Sequence, residues 1–200
     1  MKSELYLSHP DAEFWADFSF VDFPDGYLDS MSESISKALT SMNELESGAI
    51  ANPDENRMVG HYWLRDAELA PNQELTKAIG ETLAKVKEVA QSVHSGSLQS
   101  PQGPFTDLLV IGIGGSALGP QFVGKALGHP YADKLRVHFF DNTDPDGIDH
   151  TLSEIGDALS TTLVLVISKS AGTPETRNGM LEAENAFTQK GLDFSAHTIA

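Results

Sequence analysis

The chain has 200 residues, enough for one well-buried domain or one domain with an appendage, and 40% hydrophobic content suits an ordinary globular core. Thirteen Lys and Arg stand against 29 Asp and Glu, a formal charge of −16, which argues against nucleic acid or an anionic membrane as partner, because basic residues carry that attraction. There is no cysteine for a disulfide or a thiolate metal site, no apolar secretory core after Met1-Lys2-Ser3 and no apolar run long enough to cross a bilayer, so the sequence reads as a soluble cytoplasmic protein.

Residues 1–104 read as helix and connector. A Pro-Asp-Gly turn at 24–26 precedes a helix over about 29–45. A second helix is predicted over 72–93, where Leu75, Ile79, Leu83, Val86, Val89 and Val93 recur at helical spacing as a packing stripe. SGSLQSPQGP at 95–104 has the composition of a linker, and the chain divides there into a mainly helical N-terminal region with its linker (1–104) and a second part (105–200).

From residue 105 the pattern becomes strand, glycine loop and helix, repeated. Strands are predicted at 107–111 (DLLVI), 136–140 (RVHFF) and 162–167 (TLVLVI), with a fourth beginning at 197–200. Helices are predicted from the GIGGSALG segment to about 127, over 148–159 and over 174–189. Strands this apolar, separated by helices, imply an α/β fold: a parallel sheet flanked by helices and joined by right-handed crossovers.

Ligands of such sheets bind outside the carboxyl ends of the strands, where helix N-termini present partial positive charge. In the first loop Gly112, Gly114 and Gly115 permit close approach to a ligand, but glycines also serve a tight turn. Gly112-x-Gly114-x-x-Ala117, with Asp141 after the second strand, also satisfies a dinucleotide fingerprint. That alternative leaves the third loop, SKSAGTPET at 168–176, without a role. There Ser168, Ser170 and Thr173 carry hydroxyl donors, the amides from Lys169 to Gly172 can form an anion-binding concavity, and Pro174 suits the first turn of a helix capped by Thr173. Capping accounts for one hydroxyl and a local turn for another; phosphate binding accounts for the set. The Lys169 ammonium suits phosphate or solvent equally. Asp141, Asn142 and Asp144 suit sugar hydroxyls or turn and cap roles equally.

Three segments, in order, resemble the glucose-6-phosphate isomerase family: NPDENRMVGHYWLR at 52–65, GIGGS at 112–116 and SKSAGTPET at 168–176. The resemblance runs over about 52–185. It implies a sugar-isomerase (SIS-type) fold, a flavodoxin-like three-layer sandwich, truncated here at its C-terminal end. It implies a site lined by Gly115, Ser116, Ser168, Lys169, Ser170, Thr173 and Thr176, with 168–173 holding the phosphate of a hexose 6-phosphate. Ala171 replaces a glycine that family members often carry, at a cost of about 1–2 kcal/mol if that position takes positive φ.

Family members interconvert glucose 6-phosphate and fructose 6-phosphate through a cis-enediol, without metal or organic cofactor, and as a rule dimerise. The family's catalytic base, arginine, histidine and lysine fall beyond position 200, so the resemblance assigns no catalytic residue within this chain and implies that the segment alone is inactive or nearly so. His61 and Arg65, beside Tyr62 and Trp63, read as a packed aromatic segment rather than substrate contacts. The same loops would also suit a stand-alone phosphosugar-binding module without catalysis.

Overall fold

Prolines and glycines break the first sixty residues into short elements. The structure, a computed structural model, describes residues 5–200; residues 1–4, where the predicted N-terminal region and the stretch read against a secretory signal begin, lie outside the described residues. Strand β1 (Tyr6–His9) pairs antiparallel with β2 (Phe14–Asp17) around a Pro10–Ala12 turn. Helix α1 (Tyr27–Ser30) leads into α2 (Ser32–Glu46), and β3 (Ile50–Asn52) pairs with β4 (Arg57–Met58). The region read as helix and connector therefore also contains two hairpins, whose strands are too short to display a period-2 pattern. Trp63 is buried and its indole N–H donates to the Glu46 carbonyl at 2.8 Å, while His61 and Arg65 are exposed, as the packed aromatic reading expects for the tryptophan alone.

Helix α3 (Gln73–Ser95) matches the predicted span, and its N-terminus is held by the Asn72 carboxamide, which accepts from the Leu75 amide at 3.0 Å. The chain divides into two units, 1–83 and 84–200, with the boundary inside this helix. The stripe packs only toward its ends: Leu75 and Ile79 are half-buried and Val93 is buried, whereas Leu83 and Val86 are 44% and 59% exposed.

The second unit contains β5 (Asp107–Ile111), α4 (Gly115–Leu127), β6 (Arg136–Phe140), α5 (Pro145–Ile155), β7 (Thr162–Val166), α6 (Pro174–Gln189) and β8 (Thr198–Ile199). Its sheet is parallel, in the order β6-β5-β7-β8. The helix expected over 148–159 starts earlier because Asp144 caps it and Pro145 occupies its first turn; it ends at Gly156, where a 3-10 turn takes over. On one face of the sheet Leu109, Ile111, Phe140 and Val164 pack against Ile148, Ile155, Leu159, Ala183 and Phe187. On the other, Leu163 packs with Val93 and Phe105.

The first crossover runs from β5 to β6 and the second from β6 past β5 to β7, so right-handed connections place α4 on one face and α5 and α6 on the other. The chain thus leaves β5 and its neighbour β7 toward opposite faces, which opens a crevice at their carboxyl ends.

The opposite, amino end of the sheet is closed by charge. Asp107 is fully buried and accepts hydrogen bonds from Thr106 Oγ1 at 2.8 Å and the Arg136 guanidinium at 3.0 Å, with His138 Nε2 2.8 Å from its other oxygen. Burial pushes the carboxyl pKa up, but the contacts from His138, Thr106 and Arg136 outweigh it and hold the pKa below the ordinary value. Lying away from the crevice, this cluster is a fastening of β5 to β6.

Candidate functional site

Two of the loops named from the sequence emerge side by side. Ile111 pairs with Val166 in register, and the Ile167 amide donates to the Ile111 carbonyl at 2.8 Å, so the 112–116 and 168–173 loops leave neighbouring strand ends. The loop after β6, from residue 141, joins from the other flank, where the Gly112 amide donates to the Phe140 carbonyl at 3.1 Å.

The glycines of the first loop have different reasons. A Cβ on Gly112 would stand 2.9 Å from Ser116 Cβ and 3.0 Å from its carbonyl oxygen, and Gly114 has φ +55°, so both are required by the turn into α4. Gly115 faces open space: no atom would lie within 4 Å of its Cβ, so packing does not demand a glycine there. Within the turn the Ser116 amide donates to Ile113 and the Ala117 amide to Gly114. Gly115 is exposed and Ser116 half-buried, at the first turn of α4.

In the 168–173 loop Ser168 is half-buried where the chain leaves β7, and Lys169 and Ser170 are exposed. Ser168 Oγ lies 3.5 Å from Thr173 Oγ1, and Ser170 Oγ accepts from the Gly172 amide at 3.2 Å. Thr173 occupies the predicted N-cap position of α6, but its side chain makes no capping bond. The first-turn amides of this helix therefore receive no acceptor from the Thr173 side chain. Thr176 is buried, at 3% exposure, in that first turn. Ala171 has φ +55° and Gly172 does not share that conformation, so the strained position carries the methyl and the glycine follows it.

Asp141 is engaged from two sides. Gln121 Nε2, on α4, donates to its Oδ2 at 2.6 Å and Asn142 Nδ2 donates to Oδ1 at 2.8 Å. Asn142 Oδ1 accepts from the Asp144 amide at 2.8 Å, and Asp144 Oδ2 accepts from Gly147 at the α5 cap at 3.2 Å. Turn and cap duties thus occupy Asn142 and Asp144, while Asp141 is held by a tertiary contact with Gln121 and by the Asn142 side chain. Gln121 was not visible as a site residue, because a single amide in mid-helix carries no motif and its partner lies twenty positions away.

A separate concavity of about 280 Å³ opens between α5 and α6 and is lined by Asp149, Asn178 and Glu182 among others. Its two carboxylates make it a poor seat for an anion. The crevice between β5 and β7 carries the opposite character: helix N-termini, hydroxyls and accessible amides. No helix of the described residues is long and apolar enough to cross a membrane.

Comparison with known proteins agrees with this arrangement. The model of the family described as phosphoglucose isomerase matches residues 27–200. A glucose-6-phosphate isomerase of Geobacter sp. (strain M21) is 59% identical over 98% of the chain, and one of Synechococcus elongatus is 58% identical over 96% of it. The crystal structure of a glucose-6-phosphate isomerase from Chlamydia trachomatis superposes with a TM-score of 0.80 at 26% identity, covering 98% of the chain and 38% of that protein. The chain spans 37% of the length of the Geobacter relative and 36% of the Synechococcus one. With the family match extending across both units and the two loops meeting at the switch point of a parallel sheet, the chain belongs to the phosphoglucose isomerase family.

Proposed function

We propose that this chain supplies the phosphate-holding part of an active site that interconverts glucose 6-phosphate and fructose 6-phosphate. The observation that carries the reading is the uncapped N-terminus of α6, framed by Ser168 and Thr173 and set beside the open Gly115 backbone of the neighbouring loop. In this reading Ser168, Ser170 and Thr173 donate hydroxyl hydrogens to phosphate oxygens, Lys169 and the loop amides add positive potential, and Gly115 and Ser116 close the other side. Thr176 completes the lining from the first turn of α6. Hydrogen bonds to a charged group are worth about 1.5–3 kcal/mol each, so a few give about 4–8 kcal/mol overall, which is micromolar to millimolar affinity and suits a metabolite monophosphate.

The chemistry this site serves is proton transfer between C1 and C2 of the open-chain sugar through a cis-enediol. Phosphate binding contributes by fixing those carbons against the base, so that binding energy at a remote group is used at the reacting one. The base and the groups that assist ring opening belong to sequence outside these 200 residues. We further propose that residues 1–104 form the lead-in and 105–200 the first sugar-isomerase subdomain, and that the whole protein works in the cytoplasm as a homodimer without nucleic-acid or membrane partners.

The test is an amide NMR titration of the 200-residue chain with fructose 6-phosphate, with NAD as control. Saturable shifts at residues 168–173 with the sugar phosphate alone are expected. A folded sample that responds to neither ligand, or to NAD at residues 112–116, overturns the reading.

A further inference from the structure

Helix α4 presents Gly115 and Ser116 to the crevice, yet packing fastens it poorly. Among residues 115–127 only Ala117 is buried, while Leu118, Phe122 and Leu127 are 63%, 74% and 79% exposed. One small buried side chain near the first turn fixes where the helix begins but not its rotation about its own axis, and neighbouring positions differ by about 100° around that axis. A second fixed point is needed to aim the first turn.

Gln121, five positions after Ser116, provides it. Its side-chain amide donates to the Asp141 carboxyl group at 2.6 Å, a short side-chain hydrogen bond. Asp141 is itself held from the other side by Asn142, whose carbonyl oxygen is anchored on the Asp144 amide; Asp144 caps α5. The fixed point for α4 is therefore the end of β6 and the start of α5, not a mobile side chain. Bonds from Gly112 to the end of β6 and from Ile167 to the end of β5 tie the same strand ends together.

We infer that Gln121 is a positioning residue for the phosphate site: by gripping Asp141 it sets the rotation of α4 and hence the direction of the Gly115 amide and the Ser116 hydroxyl. It acts through the helix and does not touch the ligand. The inference rests on the reading of the crevice as a phosphate site. A second consequence is electrostatic, since Asp141 lies beside the first loop and the two amide donors balance a carboxylate that would otherwise weaken anion binding nearby.

The experiment compares the 200-residue chain with Gln121→Glu, Asp141→Asn and the double variant. In Gln121→Glu two carboxylates oppose each other; in the double variant the new asparagine amide donates to the new glutamate, so the bond returns with donor and acceptor exchanged. Two readouts are taken: hydrogen exchange of the α4 amides without ligand, and NMR titration with fructose 6-phosphate and with inorganic phosphate, followed separately at Gly115–Ser116 and at residues 168–173. Gln121→Glu is expected to speed exchange in α4, to bind about tenfold more weakly, the loss of one hydrogen bond to a charged group, and to lose its shifts at Gly115 and Ser116 first. The double variant is expected to regain wild-type affinity and exchange. Wild-type behaviour of Gln121→Glu, or a double variant as weak as the single one, overturns the assignment. If the wild-type chain binds neither phosphate probe, the proposed function fails by itself; the exchange pattern of the variants then still decides whether Gln121 fixes α4, with rescue in the double variant sustaining that role and its absence refuting it.

Discussion

Ser168 and Thr173 stand at the two ends of one loop with their hydroxyl oxygens 3.5 Å apart, and neither hydroxyl caps the helix that follows. Two hydroxyls held at this distance, one from the exit of a strand and one from a helix N-cap, can bind adjacent oxygens of a single tetrahedral anion. Replacing both with alanine is therefore expected to remove about 3–6 kcal/mol of phosphate binding, two hydrogen bonds to a charged group, with little change in stability. Isothermal titration with fructose 6-phosphate and a urea melt separate the two effects; a large stability loss would show that the hydroxyls serve the fold.

Ala171 offers a test in the opposite direction. Its φ of +55° places an L side chain in the left-handed region, at a cost of about 1–2 kcal/mol. Ala171→Gly is expected to stabilise the folded chain by about 1 kcal/mol after the greater entropy of glycine in the unfolded state is deducted. Gly172→Ala makes the control: its Cβ would meet only Ser170 Oγ at 3.7 Å and Ser170 O at 3.9 Å. Denaturant midpoints of the two variants should move differently, and equal shifts would mean that backbone conformation does not control this loop.

The fastening of β5 to β6 predicts an acid limb in the stability curve. Asp107 has a pKa depressed in the folded state, so the stability it contributes is fully present above its unfolded value of about 3.9 and is lost as pH falls through the lower folded value. Asp107→Asn should flatten this limb and lower stability near neutral pH by about 1–3 kcal/mol, because it weakens a fully buried acceptor bonded by Thr106, Arg136 and His138 while the Arg136 left behind is exposed to solvent. Urea unfolding from pH 2 to 7 checks both parts; a variant curve parallel to the wild type below pH 4 would refute the assignment.

Phe187 is the centre of packing for the second unit. It is fully buried, meets Phe194 edge-on with ring centres 5.5 Å apart and lies 4.9 Å from the His197 ring. Phe187→Ala should cost about 3–5 kcal/mol by opening a cavity that neighbours on α6 and in the 194–197 turn cannot refill. Thermal unfolding measures the loss, and a cost below about 1 kcal/mol would mean that the core collapses around the gap.

The parts of this protein that were legible in the sequence share a physical cause. Strand β5 appeared with its observed bounds through the apolar run Leu108–Ile111, the edge strand β6 through Val137, Phe139 and Phe140 despite Arg136 and His138, and α6 announced itself through Thr173 and Pro174. The hairpins of the first unit were missed: β4 has two residues, and Glu13 and Asn56 take left-handed turns without being glycine. In the site, hydroxyl density marked the 168–173 loop, since local folding needs only part of it. The contact between Gln121 and Asp141 had no such mark, because it depends on tertiary placement rather than spacing.

The bare outer side of α4 also bears on how molecules of this chain treat one another. Leu118 and Phe122, four positions apart and so on one side of the helix, form an adhesive strip on a body whose formal charge is −16. At low ionic strength mutual repulsion keeps such bodies apart, but at physiological salt the field decays within about 8 Å, and short-range attraction between strips then dominates. Dispersion of the isolated chain is thus a colloidal balance set by salt, with this strip on α4 acting as its contact point.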